Sequence, residues 1–326
     1  MKKCCFIIPY FGKFPNYFQL FLNSCRYNPG FNWLIFTDDH TKFNYPENVK
    51  VVYMLYDKFK RAVQSRFDFP LAIPTPHKLC DFKPAYGYLF EEYLEEFKFW
   101  GYCDLDLIMG CLEDFLTDDL LESYDKIFCL GHMTLYRNTH ENNRVFMRKY
   151  KGLELYKLSF SSGKTTTFDE EWRDEYNVNR IFLAEGKRVF TEDYSMNPSI
   201  FHNKFIRVKY VGVDLPNDGH GYITEQPKDA LYVWEKGKVS RYYMDGKEFK
   251  SENFIYMHLQ MRKMKVDNRV FYTKTFKIFP NKFLPLEVNY VDASNFHQIK
   301  RSCICFMTQK KRWKVFKKRI KSHFKL

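Results

Sequence analysis

Two aspartates one residue apart, Asp104 and Asp106, end an apolar, β-prone run that starts at Phe99 and resumes as Leu107-Ile108-Met109. Aspartate is depleted in strands, and a buried carboxylate is costly unless something positive meets it. A divalent cation held where the strand ends satisfies both conditions, with Asp106 as a direct ligand and Asp104 reaching the metal or a ribose hydroxyl. Oxygen-rich sites of this kind suit Mn2+ or Mg2+ carrying a diphosphate. The same spacing also marks turns and solvated loops. The bulky flanks Trp100-Gly101-Tyr102 and Leu107-Ile108-Met109 favour an acidic site at the edge of a core.

Such a pair needs a scaffold, and the preceding sequence predicts one. Lys3 to Tyr10 reads as a buried strand and Asn16 to Arg26 as a helix, with Phe18, Leu22 and Cys25 at helical spacing. Phe31 to Thr37 reads as a second strand running into Asp38-Asp39, and Val49 to Leu55 as a third. Strand, helix, strand in so short a span indicates a parallel α/β sheet, whose function gathers beyond the strands' C-terminal ends. Lys83 to Phe97 is predicted as a helix leading into the aspartate strand. Asp125 to Leu130 is predicted as a strand opening into Gly131-His132, Leu231 to Tyr243 as a hairpin turning at Glu235 to Lys238, and Phe254 to Gln260 as a short strand carrying His258. Arg144 to Arg180 is polar and irregular. No repeat and no linker divides the chain before about residue 300.

Composition sets the class. A chain of 326 residues with 45% hydrophobic content can bury a sizeable core. The N-terminus lacks a signal peptide's long apolar region, and no window reaches the roughly 18 apolar residues needed to cross a bilayer. A soluble or peripheral cytoplasmic protein is expected. Nine cysteines without CxxC spacing point to reduced, buried thiols. The net charge is +13, but nine basic residues between Lys310 and Lys325 account for most of it, leaving +4 elsewhere. Trp313, Phe316, Ile320 and Phe324 recur there at helical spacing. Residues 301–326 therefore read as a basic amphipathic tail, attracted through 310–326 to an anionic membrane surface, on a catalytic domain spanning 1–300. No motif outside the tail supports nucleic-acid binding.

With the aspartates placed after an α/β start, the chain resembles nucleotide-sugar glycosyltransferases of the GT-A type. The stretches KCCFIIPYFGKFPNYFQLFLNSC with WLIFTDD, HKLCDFKPAYGY, FWGYCDLDLIMG, GHMTLYRN and YMHLQMRK together resemble an uncharacterised bacterial family met in capsule and lipopolysaccharide gene clusters. More distantly it is similar to the retaining transferases of families 8 and 32. The resemblance implies a mixed, mostly parallel Rossmann-like sheet flanked by helices, a Mn2+ or Mg2+ cofactor, a nucleoside-diphosphate (UDP) sugar donor, and a glycan or lipid-linked acceptor. From it, together with the basic tail and the reduced thiols, a cytoplasmic location, peripheral on the inner face of the cytoplasmic membrane, is expected.

The resemblance also implies roles. His258 is the candidate third metal ligand after Asp104 and Asp106; a core histidine is the competing reading. Asp81 takes the place of the family's aspartate ahead of the metal pair, and Lys83 stands near, but not at, the expected arginine. Lys263, with Arg262, could meet a diphosphate, although the usual Gly-x-x-Lys is missing. Pro9, Tyr10 and Phe11 are expected near the base and Asp38 or Asp39 near the ribose. Glu192 or Asp193 could serve an inverting enzyme as acceptor base. His132, Thr134 and Arg137 are candidates for the donor or acceptor sugar. The alternatives are a haloacid-dehalogenase-like phosphatase, with Asp104 as nucleophile, and a non-catalytic basic RNA- or membrane-binding protein.

Overall fold

The computed structural model describes residues 1–172, 175–200, 202–212, 221–300 and 313. The chain opens with β1 (Lys2–Pro9), α1 (Phe18–Arg26), β2 (Phe31–Thr37), β3 (Val49–Tyr53) and α2 (Tyr56–Gln64). Then come β4 (Phe97–Cys103), β5 (Leu107–Met109), β6 (Lys126–Leu130), β7 (Met133–Arg137) and β8 (Val189–Phe190). A seven-stranded sheet has the order β3-β2-β1-β4-β7-β6-β8. Its first four strands are parallel, β7 is antiparallel to β4 and β6, and β8 is parallel to β6. This is the mixed, mostly parallel α/β architecture that the sequence predicts.

The reason lies in the double-sided burial of the central strands. Along β1, Cys4, Phe6 and Ile8 point into one apolar layer with Phe18, Phe21, Leu22 and Cys25 of α1. Cys5 and Ile7 point into the opposite layer with Phe59 and Val63 of α2. A period-2 pattern with both faces apolar is what a sheet covered by helices on both sides requires.

One expected element differs. Lys83 to Phe97 is not a single helix: a 3-10 segment at Pro76–Ala85, a short α-turn at Tyr86–Leu89 and a 3-10 turn at Glu91–Tyr93 replace it. Pro84 cannot donate to a helical ladder. Gly87 lies flat on the sheet, where an added Cβ would come within 2.2 Å of the Trp100 ring. The apolar stripe is buried as its spacing suggested, with Tyr86, Leu89, Phe90 and Leu94 in the α2-side layer.

The second half adds β9 (Val208–Tyr210), β10 (Tyr222–Thr224), β11 (Ala230–Glu235), β12 (Lys238–Asp245), β13 (Glu248–Phe254) and β14 (Tyr256–His258). β15 (Lys265–Val266), β16 (Thr275–Phe279) and β17 (Lys282–Pro285) follow. The expected hairpin is β11–β12, closed by Lys236 and Gly237 at φ of 44° and 87°, the mirror-image turn that matches strand twist. It belongs to a larger body, a six-stranded sheet of order β13-β12-β11-β16-β17-β15. That sheet docks on β5, which pairs apart from both large sheets, through Trp234, whose Nε1 donates to the Met109 carbonyl at 2.9 Å. Of the nine cysteines, the seven described are all free thiols. No helix among the described residues is long and apolar enough to cross a membrane. The predicted amphipathic tail lies, Trp313 apart, outside the described residues.

Candidate functional site

Strand pairing assembles the site. β4 leaves the large sheet after Cys103, and the Asp104 amide is fixed at the exit by donating to the His132 carbonyl at 3.0 Å. The chain turns through Leu105 and Asp106 directly into β5, which pairs antiparallel with β14 so that Leu107 faces His258. The Leu259 amide then donates to the Asp106 carbonyl at 2.8 Å. Two segments remote in sequence thereby meet. Ligand-type atoms of Asp104, Asp106 and His258 lie within 4.8 Å of one another, with Asp106 Oδ1 3.4 Å from His258 Nε2.

The surroundings orient these groups. His258 Nδ1 is 3.0 Å from Asn197 Oδ1. An amide oxygen only accepts, so the proton sits on Nδ1, and Nε2 is the ring atom presented to Asp106. The Met261 amide donates to Asp106 Oδ2 from the end of a left-handed turn, Gln260 and Met261 having φ of 53° and 52°. Burial opposes ionisation of both Asp106 and His258. Their mutual attraction outweighs it, lowering the Asp106 pKa and raising that of His258. Two carboxylates and one imidazole are a donor set that fits Mn2+ or Mg2+, and the tautomer fixed by Asn197 is the one such a ligand needs.

Lys83 supplies the second positive element. Its ammonium donates to Asp104 Oδ1 at 2.8 Å and to the Gly131 carbonyl at 2.6 Å, and lies 3.8 Å from Asp169 Oδ2. Burial opposes its charge, but Asp104 and Asp169 win and raise its pKa. Asp169 and Glu170 cross over Gly131, where an added Cβ would meet Glu170 Oε2 at 2.5 Å and Asp169 Oδ2 at 3.4 Å. Burial raises both carboxyl pKa values against the pull of Lys83. A cleft of about 800 Å³ opens over Asp104 and Asp106, lined also by Pro9, Tyr10, Phe11, Lys83 and Lys263.

Several residues singled out in the sequence lie elsewhere. Asp81 is fully buried, bonded to Lys78 Nζ at 2.6 Å and to the Thr166 and Phe168 amides, and does not line the cleft. Asp38 accepts from the Gly12 amide at 2.7 Å, and Asp39 from Lys13 Nζ and the Phe14 amide, so both brace the loop after β1. Asp193 is buried against Ser195 and the Tyr210 amide, and the neighbouring Glu192 is exposed; neither lines the cleft. Thr134 bonds the Leu130 carbonyl inside β7. Arg137 closes the helix at Asp118–Ser123 through the carbonyls of Leu121, Glu122 and Tyr124. His132 does adjoin the cluster, its ring centroid 4.6 Å from that of His258 and its Nδ1 2.7 Å from the Tyr256 hydroxyl.

Asn197, Asp169 and Glu170 were not picked out from the sequence. An apolar residue followed by a run of acids, Phe168-Asp169-Glu170-Glu171, is a local signal like that of Asp104 and Asp106. It sits in the polar stretch after Arg144, where no periodicity drew attention to it. Asn197 carries no local signal.

A solved structure of the galactosyltransferase LgtC, in complex with donor and acceptor sugar analogues, is 7% identical with a TM-score of 0.34, the match covering 60% of this chain and 77% of that one. An active-site mutant of LgtC is 10% identical with a TM-score of 0.34, covering 60% and 76%. These are remote likenesses. No curated protein matches the sequence significantly. A family model matches residues 6–287, and the chain therefore belongs to DUF6625, described as a family of unknown function.

Proposed function

We propose that this protein is a divalent-cation-dependent glycosyltransferase that moves a sugar from a nucleoside diphosphate to a hydroxyl acceptor. The observation that carries the reading is the convergence of Asp104, Asp106 and His258 beside a large cleft at the C-terminal end of β4. Crevices beyond the carboxyl ends of parallel strands are where open α/β sheets bind ligands.

Asp104, Asp106 and His258 would hold the cation, which when bound supplies positive charge against the leaving diphosphate. Lys83 keeps Asp104 in place and neutralises Asp169, so that three carboxylates can coexist in a site of low dielectric. Lys263, exposed on the cleft lining, is placed to meet a phosphate, whereas Arg262 is buried and donates to the Ser199 carbonyl at 2.9 Å. Tyr10 and Phe11 offer apolar surface for a base. Glu170, which lies over Gly131 beside Lys83 and whose pKa burial raises, is the carboxylate we assign to take a proton from an acceptor hydroxyl. Sugar attached to UDP, a glycan or lipid-linked acceptor, and a role in surface polysaccharide synthesis extend this reading through the resemblance carried by the sequence.

Thermal shift with UDP-, GDP- and CMP-sugars, with and without Mn2+, tests it, followed by donor hydrolysis for wild type and Asp106→Ala. Stabilisation that needs both nucleotide and Mn2+, with hydrolysis lost in the variant, is the expected result. Phosphate release from simple esters without any nucleotide response would replace this reading with the phosphatase.

A further inference from the structure

We infer that the rim of the cleft formed by residues 261–282 is a docking surface for an anionic lipid bilayer. Three lysines define it. Lys265 on β15 lies directly beside Lys282 on β17 in the parallel register, and Lys263 lines the cleft two residues before. Like charges set side by side across strands repel. Among the described residues, none of the three lysines has a carboxylate within ion-pair distance, and the neighbouring Asp267 is taken by Arg269 at 2.7 Å. An external anion is the charge complement of this edge.

The apolar side chains on the same rim choose the occupant. Met261, on the cleft lining two residues before Lys263, is 82% exposed, and Tyr272, in the turn Asn268–Tyr272 packed against β17, is 90% exposed, while Phe283 and in part Val266, the residues after the two lysines, pack into the interior. Long apolar groups held in water in the same stretch of chain as the lysines match a headgroup boundary, which takes the side chains into its upper acyl layer and the ammonium groups against phosphates. A soluble polyanion would use the lysines alone. The surface is made of residues other than the basic stretch 310–326 and does not depend on the sugar-transfer reading. Because Met261 and Lys263 also line the cleft, docking turns its mouth to the membrane. On that reading of the cleft, the acceptor would arrive carried on a lipid.

Flotation of the full chain with phosphatidylcholine vesicles, with and without phosphatidylglycerol, tests the proposal. The wild type should float only with the anionic vesicles. Lys265→Glu with Lys282→Glu should weaken that partition roughly tenfold or more, from an electrostatic gain of about 1 kcal/mol per lysine at the surface. Tyr272→Ser should weaken it by a smaller factor, and each variant should keep the wild-type melting temperature and Mn2+ affinity. A wild type that ignores anionic vesicles overturns the inference. So does a double variant that floats like wild type while removal of residues 301–326 abolishes flotation.

Discussion

Asn197 acts on the chemistry through His258, by fixing which ring nitrogen faces Asp106, and also accepts from Gln260 Nε2 beside the turn that binds Asp106. Loss of a group that orients a metal-binding histidine typically weakens affinity about 10- to 100-fold. Asn197→Ala is expected to fall in that range for Mn2+, measured by the paramagnetic resonance of free ion, whereas Asp106→Ala should abolish binding. Equal affinity in Asn197→Ala and wild type would remove the role given to Asn197. Gly131 offers a second residue-scale test. The atom that an added Cβ would strike is the end of a flexible Glu170 side chain, which can swing away at little cost to the fold. Gly131→Ala should therefore keep its melting temperature close to wild type while sugar transfer falls about 100-fold, the lower end of a general-base contribution. Unchanged turnover would take Glu170 out of the mechanism.

At the scale of elements, β6 shows how a local irregularity positions the site. Its pairing with β7 slips between Ile127 and Leu130, and Phe128 adopts a φ of 68°. Lys126, buried beneath, donates to the Phe128 carbonyl and lies over the Tyr136 ring. This bulge leads into Gly131 and His132, whose carbonyls receive Lys83 and the Asp104 amide. Burial lowers the Lys126 pKa from 10.5 to about 8, against the pull of Cys129, Glu171 and Asp169. Between those values the unfolded chain holds the proton and the folded chain has released it, so this residue makes stability rise with pH there. Lys126→Met lacks that dependence. The stability of the variant relative to wild type should be greatest below pH 8 and decline toward pH 10.5, as read by urea denaturation. A difference that stays flat across this interval would refute the assignment.

The whole molecule joins two sheets at the strand pair that carries the ligands. β5 and β14 belong to neither large sheet, and α1, Trp234 and the segment around Met196 hold them between the two bodies. Occupation of the site should therefore stabilise the chain globally. Mn2+ with a nucleoside diphosphate at about 100 times its dissociation constant should add roughly 2.7 kcal/mol to unfolding, a rise in melting temperature of a few degrees that EDTA reverses. Calorimetry that shows no metal-dependent shift with any nucleotide would count against a linked site.

Much of this protein is written locally. The continuous apolar runs of β1 and β2, the helical spacing of α1, the hairpin at Lys236-Gly237 and the Asp104-x-Asp106 pair at a strand end are all decided by neighbours a few residues apart, and local pattern reads such neighbours directly. The placement of His258 beside Asp106 follows from the β5–β14 register, a pairing between distant segments. The same holds for Asn197 behind His258, for Asp169 and Glu170 over Gly131, and for the structural employment of Asp81, Asp193 and Arg137. Whether a carboxylate or guanidinium faces a cleft or satisfies a buried amide or carbonyl depends on which backbone group the fold brings to it, and only tertiary packing selects that partner.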